Sequence, residues 1–225
     1  MESSKPKLHV LDVSKMTLLE YILLAASSLF IIIDPIALIP AFLAMTPRDT
    51  PARRTRTARL ACMVAAGVLI FFTLIGERLF RLLGITMAAF KIAGSIVLLL
   101  IALDMLRARR SPVQETAEET DAGTEKDDIA VTPLAVPMLA GPGALSTAIV
   151  LHSQANGWAQ EVALLSCIVV VCLASYIILR LASHGAGWIS PIAMKIVTRI
   201  MGLLLAAVAI QFILDAIAEQ KGKLF

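Results

Sequence analysis

Long apolar runs leave this chain very few folds. Residues 18–46, 58–75, 86–106, 131–151, 162–181 and 196–214 are charge-poor stretches. Each approaches or exceeds the roughly 20 residues that cross bilayer hydrocarbon as a helix. Lipid offers the backbone no hydrogen-bond partner, so spanning segments are confined to helices and closed barrels. The chain is 58% hydrophobic, against about 45–50% for a soluble domain, and its mean hydropathy is +0.84. The expectation is an all-α membrane protein with six transmembrane helices. The first run continues past Asp34–Pro35. It is far longer than the roughly 7–15 apolar residues of a secretory signal, and reads as a retained span.

Two of the runs are interrupted. Ile33-Asp34-Pro35-Ile36-Ala37-Leu38-Ile39-Pro40 in the first has a counterpart in Ala140-Gly141-Pro142-Gly143-Ala144-Leu145-Ser146-Thr147 in the fourth. Pro35, Ala37 and Leu38 match Pro142, Ala144 and Leu145 at one offset. Lys91-Ile92-Ala93-Gly94 matches Arg199-Ile200-Met201-Gly202 at an offset one residue larger. Each half has three spans, so the second copy starts on the opposite face of the membrane. The layout expected is two inverted three-helix repeats, with helices 1 and 4 broken at mid-membrane, a pattern common in secondary transporters. The chain then divides into a polar N-terminal segment (1–17), a first repeat (18–106), an acidic cytoplasmic loop (107–130), a second repeat (131–217) and a C-terminal tail (218–225).

At the first break Asp34 is a favoured N-cap, and Pro35 is tolerated where the helix amide is unpaired anyway. A half-helix starting at Pro35 follows. Gly141–Pro142 plays the same part in the second copy, and Pro133 and Pro137 each remove a further helix amide before it. Each break presents a positive half-helix start and a negative half-helix end. Helix N-termini take anions, and freed carbonyls take cations, which suits a small zwitterion. The candidate substrate-binding residues are Asp34, Pro35, Ala37, Pro40, Gly141, Pro142, Gly143, Ser146 and Thr147, with the two hydroxyls in reach of a solute. Asp34 has two readings, a plain cap or the site of ion coupling. Lys91 and Arg199 read as snorkelling to the interface, or as steadying a half-helix C-terminal end. Asp104 and Asp215 fall close to span ends, and Gln211 and Ser95 are deeper, where they could join helices.

Other chemistry is excluded by what is missing. The basic residues, giving a net charge of +3, lie between apolar runs and form no stripe interleaved with aromatics, so nucleic acid is not a partner. Cys62, Cys167, Cys172, His9, His152 and His184 have no metal-ligand or disulfide spacing. No G-x-S-x-G occurs, and no paired acids face an arginine cluster inside a span, so no enzyme is expected. No metal or cofactor is expected beyond a coupling proton or sodium ion. The arginines from Arg48 to Arg59 are the compact basic cluster, which places that exposed loop in the cytoplasm and both termini outside.

The motif Asp34-Pro35-Ile36-Ala37-Leu38-Ile39-Pro40-Ala41-Phe42 resembles the first-span motif of the MarC family of bacterial and archaeal membrane proteins. Residues 135–147, ending Ala140-Gly141-Pro142-Gly143-Ala144-Leu145-Ser146-Thr147, resemble its fourth-span motif. Phe90-Lys91-Ile92-Ala93-Gly94, running on to residues 101–106, is similar to its third span, and Arg199-Ile200-Met201-Gly202 to its sixth. The resemblance covers about residues 18–215. It implies six helices in the inner membrane and a grouping with six-helix neutral amino acid transporters, some of which move glycine and alanine. Ala37 stands where many members carry glycine, and Gly94-Ser95 where Gly-Gly is usual; both add bulk. The function expected is a secondary transporter of small neutral amino acids or similar solutes, working by alternating access in the lipid bilayer as one repeat rocks against the other. A homo-oligomer is compatible with it. The alternatives are an efflux carrier for other small metabolites and a non-transporting scaffold or regulator.

Overall fold

Proline and glycine punctuate the helices at the places where the sequence breaks its apolar runs. The computed structural model describes residues 16–46, 49–107, 130–185 and 191–224. Arg48, nearly all of the acidic connector and residues 1–15 lie outside the described residues.

Helix α1 (Leu18–Ile33) opens on a reciprocal cap. The Thr17 hydroxyl accepts from the Glu20 amide, and the Glu20 carboxylate accepts from the Thr17 amide at 2.8 Å, so two free donors of the first turn are satisfied. The chain then turns into α2 (Leu38–Met45), bent 44° from α1. Helix α3 (Pro51–Leu83) is capped by Thr50, has proline at its first turn and ends on Gly84 in the left-handed region (φ 65°), the usual glycine terminator. Helix α4 (Met87–Arg107) completes the first half. The second half begins with a π-type segment (Ala130–Leu139). It meets α5 (Pro142–Gln154) at 56°, and α6 (Trp158–Gly185) and α7 (Pro191–Leu224) follow. No strand occurs among the described residues.

Span lengths depart from the sequence reading. Helix α3 has 33 residues, about 50 Å at 1.5 Å per residue, against roughly 30 Å of hydrocarbon. Arg53, Arg54, Arg56 and Arg59 therefore sit on its first turns rather than in a loop. Thr50 and Pro51 start the helix before the apolar run does. Helix α7 likewise takes in the residues read as a C-terminal tail, through Leu224. Four helices are by themselves long and apolar enough to cross a membrane, and up to six crossings are available if each bent pair is one span.

Outward faces carry large apolar side chains, among them Leu23, Ile31, Leu100, Val170 and Leu203. Such a surface invites aggregation in water and matches lipid. The interior is built from small residues, with Ala25, Ala41, Ala58, Ala61, Ala65, Ala102, Ala135 and Ala148 fully buried around Tyr21, Leu29, Phe42, Leu69 and Leu134. Small side chains let backbones approach, as membrane helix interfaces require. A β-carbon on Gly202 would come within 2.9 Å of the Ala102 carbonyl oxygen on α4.

The core lies almost wholly between the halves. Helix α4 packs most extensively on α7 and α3 on α6, while α1 packs on α6 and the 130–139 segment on α3. Helix α2 lies on α7, as α5 lies on α4. Among the described residues, no two elements within the first half pack extensively.

Candidate functional site

The two breaks solve their hydrogen bonding in different ways. Asp34 takes a left-handed conformation (φ 42°, ψ 65°) that ends α1, its amide donating to the Phe30 carbonyl at 3.0 Å. Aspartate visits this region more readily than most residues because its short polar side chain bonds locally. Here its Oδ1 accepts from the Ala37 amide at 3.1 Å, and its carbonyl accepts from the Leu38 amide at 3.2 Å. Asp34 thus closes one helix and caps the turn leading into the next. The sequence reading had the half-helix begin at Pro35; residues 35–37 form a turn, and the helix starts at Leu38. Pro35 is buried, whereas Asp34 and Ala37 are exposed.

The second break has no such side chain. Gly141 is the N-cap of α5 and Pro142 its first residue, so no side chain caps the amides of the first turn. The Leu145 amide closes the first helical bond onto the Gly141 carbonyl at 2.9 Å. Upstream, Thr132 (φ −131°, ψ 119°) and Val136 (φ −130°, ψ 122°) are extended. Each precedes a proline, whose ring pushes its neighbour out of the helical region. The disturbance therefore reaches back to Thr132, further than one kink at Gly141–Pro142.

A partly open hollow of about 480 Å³ lies at the start of α5. Gly143, Ser146 and Thr147 line it from α5, Ile32 from the end of α1, Lys91 from α4, and Phe212, Asp215 and Ala218 from α7. Both halves contribute to it, the first through Ile32 and Lys91. Gly143 keeps it open: a β-carbon there would lie 3.2 Å from Ile32 Cγ2 and 3.1 Å from Phe212 Cζ. Gly94 serves the same fit one layer away, since its β-carbon would come within 3.1 Å of Pro142 Cγ. The Tyr21 hydroxyl, buried, donates to the Leu151 carbonyl at 3.0 Å and ties the far end of α5 to α1.

Of the nine residues the sequence singles out, Gly143, Ser146 and Thr147 line this hollow, and Gly141 and Pro142, which start the same helix, are buried and not among its lining residues. Asp34, Pro35, Ala37 and Pro40 are not among its lining residues. The Ser146 hydroxyl donates to the Gly143 carbonyl at 2.9 Å, within its own helix. Lys91, read from sequence as snorkelling to the interface or steadying a half-helix end, and Asp215, read as lying close to a span end, both line the hollow; Lys91 is half-buried and Asp215 exposed. Gln211, read as joining helices, donates instead to Asp215 Oδ1 at 2.8 Å on its own helix, and Ser95 donates to the Lys91 carbonyl at 2.6 Å. No sequence signal joins Lys91 and Asp215, since each is a lone charge near the end of an apolar run.

No group of three or more potential metal ligands occurs among the described residues.

The chain matches the family model described as MarC family integral membrane protein over residues 19–220. It is 36% identical to a UPF0056 membrane protein of Methanocaldococcus jannaschii, over 88% of this chain and 97% of that one. A UPF0056 membrane protein of Bacillus subtilis is 34% identical over 83% and 89%. One of Escherichia coli is 31% identical over 84% and 88%. No solved structure matches it. With a family model spanning nearly the whole chain and relatives aligned almost end to end, this chain belongs to the MarC family of integral membrane proteins.

Proposed function

We propose that this protein is a secondary transporter that moves small neutral amino acids or similar small solutes across the inner membrane by alternating access. The observation that carries the reading is the hollow at the second break, built from both halves, with Lys91, Ser146, Thr147 and Asp215 among its lining residues and space that a side chain at Gly143 would fill. Ligand sites of small molecules fall at about 300–1,000 Å³, and 480 Å³ lies within that range. Irregular backbone at membrane depth is tolerated where it lines such a cavity, which gives the breaks a use that a scaffold or regulator leaves unexplained. The same hollow would serve an efflux carrier.

The packing supports a pair of inverted repeats. Exchanging each element for its counterpart turns α1 on α6 into the 130–139 segment on α3, and α2 on α7 into α5 on α4. Both contacts of each exchange are present. In this reading helices 1 and 4 are single broken spans, six crossings result, and both termini lie outside. The moving block is not one sequence half, because neither half has its own core. The division that the packing allows sets α4 and α7 against α1, α3 and α6.

Two substitutions test the reading. Gly143→Leu fills the hollow, and transport of labelled alanine into proteoliposomes should fall at least tenfold with normal expression; unchanged transport counts against the site. Asp34→Asn keeps a capping oxygen but cannot carry charge. If Asp34 only caps, proton- or sodium-driven uptake by this variant stays within about twofold of wild type. Uptake that no longer responds to either gradient would assign coupling to Asp34.

A further inference from the structure

From the outer face of α3 we propose that Arg53, Arg56 and Arg59 hold the headgroup phosphate of an anionic phospholipid, whose acyl chain lies along the apolar stripe beside them. Such a site stands whether or not the protein transports. All three arginines are exposed. They share a helix face about 120° wide with Met63, Gly67 and Leu74, which are exposed too. Gly67 leaves a recess in that stripe, with nothing within 4 Å of a β-carbon built there. From Arg59 to Glu77 the helix rises about 27 Å, close to the roughly 30 Å of bilayer hydrocarbon. The arginines therefore fall at one headgroup level and Glu77 at the other.

The two ends of α3 differ in charge balance. At the far end Arg81 pairs with Glu77. At the near end the first turn holds no acidic residue, and among the described residues Arg53, Arg56 and Arg59 make no ion pair. Arg54 is different: it turns inward to the Thr46 carbonyl. Cations one turn apart on a helix repel each other, and these three also sit at the positive end of the helix dipole. Both effects oppose the fold of the bare chain, so an anion at this level would relieve them. Arginine suits phosphate because its planar fork donates two parallel hydrogen bonds. A lipid fits both parts of the stripe. Free phosphate or an acidic peptide segment would match the arginines and leave the Met63–Leu74 face uncovered. A second copy across a twofold axis would set arginine against arginine.

The test is thermal unfolding of the full chain, purified in neutral detergent, with phosphatidylglycerol, phosphatidylcholine or inorganic phosphate added. Phosphatidylglycerol should raise the wild-type midpoint by about 4 °C or more, and the other two by well under half of that. Arg56→Gln/Arg59→Gln should lose most of the phosphatidylglycerol shift. Arg56→Lys/Arg59→Lys should keep part of it, and Arg78→Gln/Arg81→Gln, at the far end of α3, should keep all of it. Without lipid, Arg56→Gln/Arg59→Gln should unfold at or above the wild-type midpoint, since repulsion is relieved; that separates lost binding from lost folding. Native mass spectrometry gives a second readout, with phosphatidylglycerol retained on wild type and lost from that variant. An equal shift with phosphatidylcholine or with phosphate overturns the anionic-lipid occupant. So does a full phosphatidylglycerol shift in Arg56→Gln/Arg59→Gln, or an equal loss in Arg78→Gln/Arg81→Gln. A wild type that phosphatidylglycerol does not stabilise overturns it too, and leaves the acidic connector or a second copy to cover the arginines.

Discussion

Gly141→Ala is expected to cost about 3 kcal/mol or more of stability, the upper end of what overpacking a closed interior does. A β-carbon at this position would lie 2.5 Å from the Pro137 carbonyl oxygen. The obstacle is backbone, so no rotamer change relieves it. The residue's own torsions (φ −74°, ψ 169°) are open to any amino acid, which makes the effect steric and not conformational. To accept alanine, the 130–139 segment must move away from α5 and reopen its buried contacts with α3. The measurement is the thermal unfolding midpoint of the detergent-solubilised protein, with Gly67→Ala as the comparison. Nothing lies within 4 Å of a β-carbon on Gly67 in the middle of α3, so that change should gain up to about 1 kcal/mol from helix propensity. Equal midpoints for the two variants would show that the 130–139 segment yields freely, and would undo this account of the second break.

Arg54→Ala should come next in size. Arg54 is 6% exposed, and its Nε and Nη2 donate to the Thr46 carbonyl at 3.0 and 2.8 Å. Thr46 is the C-cap of α2 and is itself buried. From the first turn of α3 the guanidinium fork thus satisfies the carbonyl end of α2 and brings its charge to the negative, C-terminal end of that helix. Truncation strips charge-assisted bonds worth about 1.5–3 kcal/mol and leaves the buried Thr46 carbonyl with the longer bond from the Asp49 amide at 3.3 Å. Arg54→Lys should recover only part of the loss, because an ammonium is a point donor without the planar fork. A lower unfolding midpoint for Arg54→Ala, with Arg53→Ala close to wild type, is the expected pattern; Arg53 is exposed.

These two positions mark the boundary of what the sequence discloses. Apolar run length and proline position are local properties. The two bends therefore fall where Asp34–Pro35 and Gly141–Pro142 stand in the chain. Side-chain neighbourhoods are not local. Arg54 looks like a member of a cytoplasmic cluster until α2 returns its last carbonyl to it, and only the fold separates it from Arg53 and Arg56. Lys91 and Asp215 are more than a hundred residues apart, and each alone resembles an interfacial anchor. Nothing in an apolar string says which face of α7 turns toward α5. The two breaks look equivalent as motifs, yet one carries its own carboxylate and the other a bare glycine, so their chemistry diverges.

That the core is shared between the halves has a consequence for biogenesis. When the ribosome has delivered residues up to about 107 into the membrane, those helices have no partners to bury their alanine faces against. They must wait, loosely associated, until α6 and α7 arrive. A truncated first half should therefore be cleared by membrane quality-control proteases rather than persist. Expressing the two halves as separate polypeptides should restore each other's survival in the cell, because each is the missing interior of the other.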